Sequence, residues 1–144
     1  MEKFQKQTAT GESISRQAND GVGIRTKALT ADTTLTASDS GKVFILDAVG
    51  EVITLPAVAD GLKYKFRCSV TTATSNWTIV AATDVIYGSA QVAGAVIAAS
   101  AENTITLVVA KFLPGDWVSL ESDGTNWYVE GSVVTSAGCT FTAP

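Results

Sequence analysis

The chain has 144 residues, a net charge of −4, 46% apolar residues and 17% charged ones. That length suits one domain burying roughly 68–70% of its unfolded surface, so neither a metal nor a disulfide is needed for folding. The sequence has no histidine, which excludes Ser-His and Cys-His acyl transfer, His-ligated zinc and an imidazole pH switch.

The charged fraction is below the ~25% usual for globular proteins. Thr, Ser, Asn, Gly and Ala must therefore cover much of the surface. Such composition suits β-rich proteins that assemble, because neutral polar groups cost less to desolvate than charges. Charge is also unevenly divided. Residues 1–27 hold five bases and three acids, whereas residues 28–144 hold five bases and eleven acids. A mildly basic arm thus precedes an acidic body, and an acidic body argues against nucleic acid as the ligand.

The N-terminus lacks the apolar stretch of a signal peptide. The longest apolar run, around Val92 to Ala99, is far short of the ~20 residues that cross a bilayer. The expectation is a soluble protein made in the cytoplasm without an export signal and without a membrane partner.

In chain order, residues 1–27 are rich in Gln, Thr, Ser, Gly and Asn, with isolated apolar Phe4, Ile14, Val22 and Ile24. No period holds, so this segment cannot bury enough apolar area to offset its ordering entropy. It is predicted to be disordered when free, or extended against a partner. Asp20 to Gly23 read as a joint. From Ala28 a single domain is expected. Short runs of β-branched and aromatic residues recur there, separated by Gly, Asp, Asn and Pro.

Thr33–Ala37 alternates and ends in the turn cluster Ser38 to Gly41. Lys42–Asp47 and Glu51–Leu55 are predicted to pair as a hairpin through Ala48 to Gly50, closed by Pro56. Leu62–Val70 has the cleanest two-residue period, with Leu62, Tyr64, Phe66 and Cys68 on one face and Lys63, Lys65 and Arg67 on the other. Trp77–Ala81, Val85–Tyr87, Gln91–Ile97, Asn103–Val109, Trp117–Glu121, Trp127–Gly131 and Cys139–Thr142 continue the series. The fold class predicted is all-β: an antiparallel sandwich, jelly roll or small β-barrel with an extended N-terminal arm.

The chemistry-bearing motifs are sparse. Asp32, Asp39, Asp47, Asp60, Asp84, Asp116 and Asp123 occupy turns or strand ends, where Asp commonly accepts hydrogen bonds from the local backbone. No EF-hand or nonapeptide calcium spacing occurs. Cys68 and Cys139 are too far apart for a CxxC motif, and Cys68, inside an apolar run, is expected to be a buried free thiol. Asn76-Trp-Thr78 matches a glycosylation pattern, without a secretion signal to give it meaning. Trp77, Trp117, Trp127, Tyr64, Tyr87 and Tyr128 suit a carbohydrate site or, more simply, packing at strand ends. Ser75-Asn-Trp-Thr-Ile-Val80 and Thr125-Asn-Trp-Tyr-Val129 echo each other and suggest one turn solution used twice. No catalytic residue, cofactor or metal is predicted, and the chain reads as a non-enzyme.

Several of these runs resemble small tailed-phage virion proteins. They are Leu29 to Ala48, Val52-Ile-Thr-Leu-Pro56, Gly61-Leu-Lys-Tyr-Lys-Phe66, Asn76 to Ala81 and Ser122-Asp-Gly-Thr-Asn-Trp-Tyr128. The resemblance is to phage capsid decoration, or cement, proteins of the trimeric β-domain type. It implies a homotrimer on the capsid exterior of a virion, with the major capsid protein as partner and an arm reaching across it. The expected capsid-binding positions are Lys3, Phe4, Lys6, Ile14, Arg16, Val22, Ile24 and Arg25. The alternative is a receptor- or carbohydrate-binding module of a head or tail fibre.

Overall fold

Between Leu62 and Cys68 every second side chain is apolar, and each of those four is buried while the basic residues between them stay accessible. This two-residue period builds strands throughout the chain. The computed structural model describes residues 26–47, 49–70 and 73–144, which form twelve strands and one short 3-10 turn, Ala37–Asp39.

The first six strands alternate between two sheets. β1 (Thr26–Leu29), β3 (Val43–Leu46) and β5 (Asp60–Cys68) run parallel in the larger sheet. β2 (Thr33–Thr34), β4 (Val52–Thr54) and β6 (Trp77–Val80) run parallel in the smaller one. Strands β1 to β6 are therefore a stack of three coils, each crossing to the opposite sheet and returning one strand further along. Parallel neighbours require a crossover connection, and here the opposite sheet supplies it in place of a helix.

That arrangement corrects the predicted hairpin between Lys42–Asp47 and Glu51–Leu55. β3 and β4 lie in different sheets, because Phe44 and Leu46 of one and Ile53 of the other must enter the same core from opposite sides. The chain therefore passes from one sheet to the other between β3 and β4 instead of reversing in plane.

The second half is mainly antiparallel. β7 (Ile86–Val92), β8 (Ala95–Glu102), β10 (Trp117–Asp123) and β11 (Trp127–Val133) complete the larger sheet in the order β1-β3-β5-β10-β11-β7-β8. β9 (Thr104–Leu107) and β12 (Cys139–Thr142) complete the smaller one, ordered β12-β9-β6-β4-β2. The all-β, two-sheet expectation holds. The expected uniform antiparallel pairing does not, since the three coils and the β11–β7 pair are parallel.

Two boundaries also shift. The predicted run Gln91–Ile97 is split by a two-residue hairpin turn, Ala93-Gly94, with φ of 53° and 82°. Positive φ at both central residues gives such a turn the twist that flanking strands prefer. Thr26 and Lys27, assigned to the arm from sequence, already belong to β1.

The core lies between the sheets and is densely aromatic. Phe44 stacks on Phe66 with centroids 5.5 Å apart, Tyr64 meets Trp127 at 5.7 Å, and Trp77 meets Phe112 edge-on at 6.2 Å. The Tyr64 hydroxyl donates to the Thr36 carbonyl at 2.7 Å, tying the turn after β2 to the core. Both cysteines are buried free thiols. Burial pushes the Cys139 thiol up to about 12 and also raises Cys68, so both stay protonated at neutral pH.

Asp116 organises the loop before β10. Its Oδ2 accepts from the Leu113 N–H at 2.8 Å and its Oδ1 from the Val134 N–H at 3.2 Å, and the residue is buried. Replacing Asp116 with Ala orphans both donors and should lower stability by about 1–3 kcal/mol, measured by urea unfolding. A change within experimental error would show that water satisfies them.

Candidate functional site

The outer face of the smaller sheet carries the most regular array in the protein. In β4, β6, β9 and β12 a residue that faces the core is flanked by two that face out: Ile53, Ile79, Ile105 and Phe141 point inward. The outward residues align across the ladders in two unbroken rows. One runs Thr34, Thr54, Val80, Thr104, Thr142, and the other Val52, Thr78, Thr106, Thr140. Seven threonines and two valines, all β-branched and uncharged, thus cover five strands.

This face suits contact for physical reasons. β-Branched side chains are stiff at χ1, so little rotamer freedom is lost on docking. Each threonine pairs a methyl group with a small hydroxyl and brings no charge to desolvate. At ~4.8 Å between strands and ~6.8 Å between rows, the array spans about 19 Å by 7 Å between backbone positions. That is well under the ~800 Å² per partner of a stable two-body interface. Such a face works as one contact among several.

The larger sheet presents a different outer face. Lys63, Lys65 and Arg67 line β5 as predicted, and two of them are engaged across the ladder. Lys63 Nζ lies 3.3 Å from Glu121, and Lys65 Nζ sits 4.4 Å from the Trp117 ring centroid. Tyr128 and Tyr87 stand side by side in register on β11 and β7. Tyr128 is 42% exposed and its hydroxyl donates to Asp123 at 2.8 Å. Trp77, Trp127 and Tyr64 are fully buried, so packing claims half of the aromatic set proposed for a carbohydrate site. Asn76 and Asn126 differ in role, which corrects the idea of one turn used twice. Asn76 Oδ1 caps the Val109 N–H at 2.8 Å, whereas the Asn126 N–H is itself held by Asp123.

The carboxylates behave largely as their turn positions predict. Asp32, Asp39, Asp47, Asp116 and Asp123 each accept a backbone N–H. Among the described residues, no three Asp, Glu or Cys side chains converge as metal ligands. Glu51 is the departure that sequence reasoning missed. It sits on the corner between β3 and β4, 2% exposed, with neither carboxylate oxygen hydrogen-bonded to a donor. Burial first, then the carboxylates of Asp47 and Asp32, push it up to about 7.

The third feature is a seam. β8 and β12 are the free edges on one side of the two sheets. The sheets meet where the Asn103 N–H donates to the Thr142 carbonyl at 3.1 Å, and diverge towards Ala95 and Cys139. The opening encloses about 380 Å³, lined chiefly by Val92, Ala95, Ile97, Ala98, Cys139 and Phe141. A smaller depression of about 260 Å³ lies over β3, β5 and β10, beside Lys42 and Lys65.

The expected arm positions Lys3, Phe4, Lys6, Ile14, Arg16, Val22, Ile24 and Arg25 lie outside the described residues. The chain enters the body at β1, on the edge of the larger sheet that overlies β2. The threonine face could be found in sequence by its recurring triplets, Val52-Ile-Thr54, Thr78-Ile-Val80, Thr104-Ile-Thr106 and Thr140-Phe-Thr142. No helix among the described residues is long and apolar enough to cross a membrane. No family model matches the chain, and no curated protein or solved structure is significantly similar to it.

Proposed function

We propose that the protein is a structural component of a phage virion that binds the capsid exterior as a homotrimer and stabilises the head. The observation that carries this reading is the two-row Thr/Val face, a neutral surface on a body of net negative charge. It fits docking on a protein shell, where many copies act together and each contact is modest. Because the face is too small to hold one copy by itself, residues 1–25 and the other protomers must add contacts. Linked binding of that kind gains avidity without any single strong interface. The resemblance of Leu29 to Ala48 and Ser122 to Tyr128 to capsid decoration proteins points the same way.

Purified protein added to heads lacking it should bind saturably and raise their resistance to heat or chelator. Thr78→Glu combined with Thr106→Glu should weaken head binding at least tenfold while leaving the circular dichroism unchanged. Removal of residues 1–25, a cut that spares β1, should also weaken it. Saturable binding that survives all of these changes would discard the face and the arm together.

The Tyr87–Tyr128 pair supports the second reading, a carbohydrate- or receptor-binding module of a fibre. Adjacent tyrosines, Tyr128 exposed and Tyr87 half-buried, offer a stacking surface for a sugar ring. Glycan-array binding that Tyr128→Ala abolishes would favour this reading over the first.

A further inference from the structure

Glu51 is 2% exposed, and among the described residues no donor reaches either of its carboxylate oxygens. A carboxylate in that state is costly to keep charged unless a cation lies against it. No lysine or arginine offsets it here. Its neighbours are two more acids: Asp47 comes within hydrogen-bonding reach of its carboxyl, and Asp32 lies close enough to act on its charge.

The three acids come from separate places in the chain. Asp47 follows β3, Glu51 precedes β4, and Asp32 lies between β1 and β2. Backbone donors fix two of them. Asp47 Oδ1 accepts the Val49 N–H at 3.2 Å, and Asp32 Oδ1 accepts the N–H of Val52, the residue after Glu51, at 2.8 Å. Carboxylates held together in this way repel unless a positive charge stands among them.

Exposure falls in steps from Asp32, which is exposed, through half-buried Asp47 to buried Glu51. That order gives an ion a path from solvent to the unpaired oxygens. Neutral oxygens are also at hand. Gly50 lies so close to the Ser75 and Asn76 carbonyls that any Cβ there would collide with them. The Ser75 hydroxyl in turn donates to the Gly50 carbonyl at 3.4 Å.

We propose that Glu51 and Asp47 bind a calcium ion where the chain crosses from β3 to β4, with Asp32 adding its charge from the solvent side. The donors are all oxygen, which suits a hard cation, and the chain has no histidine to favour a transition metal. Among the described residues no three side chains converge as ligands, so backbone carbonyls and water must complete the roughly six to eight oxygens of calcium. Calcium accepts such an irregular set, whereas magnesium demands a near-ideal octahedron. With two direct carboxylates the site belongs among weak ones, with a Kd of about 0.1–1 mM. Bound there, the ion ties together the ends of β3 and β4, which lie in different sheets.

The test is calorimetric titration of the chelator-treated full chain with calcium chloride at about pH 8, in ~150 mM salt to screen diffuse attraction to the negatively charged body. One ion should bind per chain, and calcium should raise the midpoint of thermal unfolding. Glu51→Gln should abolish both effects while keeping the circular dichroism. Asp47→Asn should weaken binding about tenfold or more, and Asp84→Asn, an exposed acid elsewhere, should bind as the parent does. No uptake by the unaltered protein at ~10 mM calcium, well above the expected Kd, overturns the proposal. So does a folded Glu51→Gln variant that binds as tightly as the parent, or an equal loss in Asp47→Asn and Asp84→Asn. If Glu51→Gln fails to fold, unchanged affinity in Asp47→Asn overturns it instead. Equal affinity for magnesium overturns the assignment to calcium. No heads are present, so the outcome is independent of the capsid reading.

Discussion

Replacing Trp127 with alanine should lower the unfolding free energy by about 3–5 kcal/mol, the range for removing a large aromatic from a core. Trp127 opens β11, is fully buried, and packs against Tyr64 from β5 across the larger sheet. Its loss leaves a cavity that rigid strands on both sides cannot close. Domains of this size commonly have only ~5–15 kcal/mol of stability, so the variant should lose a large share of it. The Trp127→Phe variant separates two contributions. The Trp127 indole N–H is buried without an acceptor, so phenylalanine sacrifices ring volume but no hydrogen bond, and it removes an unsatisfied donor. Trp127→Phe should therefore cost under about half as much as Trp127→Ala. Urea unfolding followed by far-ultraviolet dichroism measures both, and equal losses would mean that the N–H has a partner after all.

Glu51→Gln should stabilise the protein, and only above acidic pH. In the unfolded chain this carboxyl titrates near 4.5, whereas burial and the neighbouring Asp47 and Asp32 hold it at about 7 in the fold. Below pH 4.5 it is protonated in both states and nothing is lost. As pH rises, the unfolded state gives up its proton first, so the stability of the unaltered protein falls. Above about 7 the carboxylate is charged in both states, and the folded state bears the full cost of a buried, unpaired charge. Each tenfold difference in proton affinity between the two states is worth about 1.4 kcal/mol, so the total loss should be about 3–4 kcal/mol. Glutamine removes the charge, and the Glu51→Gln variant should match the parent at pH 4 and exceed it by that margin at pH 8. A constant difference at both values would show that packing, not ionisation, distinguishes the two side chains.

Glu51 also explains what kind of residue a sequence reading overlooks. In sequence it is an ordinary acid beside a strand, next to Gly50 and four positions from Asp47. Its burial arises because β3 and β4 lie in different sheets instead of forming a hairpin. On that corner Asp32, twenty positions from Val52, accepts the Val52 N–H at 2.8 Å. Only stacked coils bring the turn after β1 over the start of β4.

The seam has the same origin. Residues 85–101 and 131–144 are each visibly uncharged in sequence, but nothing local says that they share a side. The long separation between them is closed by sheet order, which sets β8 and β12 on matching edges.

The alternating pattern of Leu62 to Cys68, the turn positions of the aspartates and the β-branched runs determined that this chain forms strands, and which face of each enters the core. Those are local properties, fixed by side-chain period and backbone preference. Strand partners were decided only in three dimensions. A short apolar strand has the same sequence signature whether its neighbour is parallel or antiparallel, and whether the next segment reverses in plane or crosses to the other sheet. The choice rests on which arrangement lets Phe44, Ile53, Phe66, Trp77 and Trp127 fill one core together. From that choice follow the two threonine rows, the buried Glu51 corner and the uncharged seam.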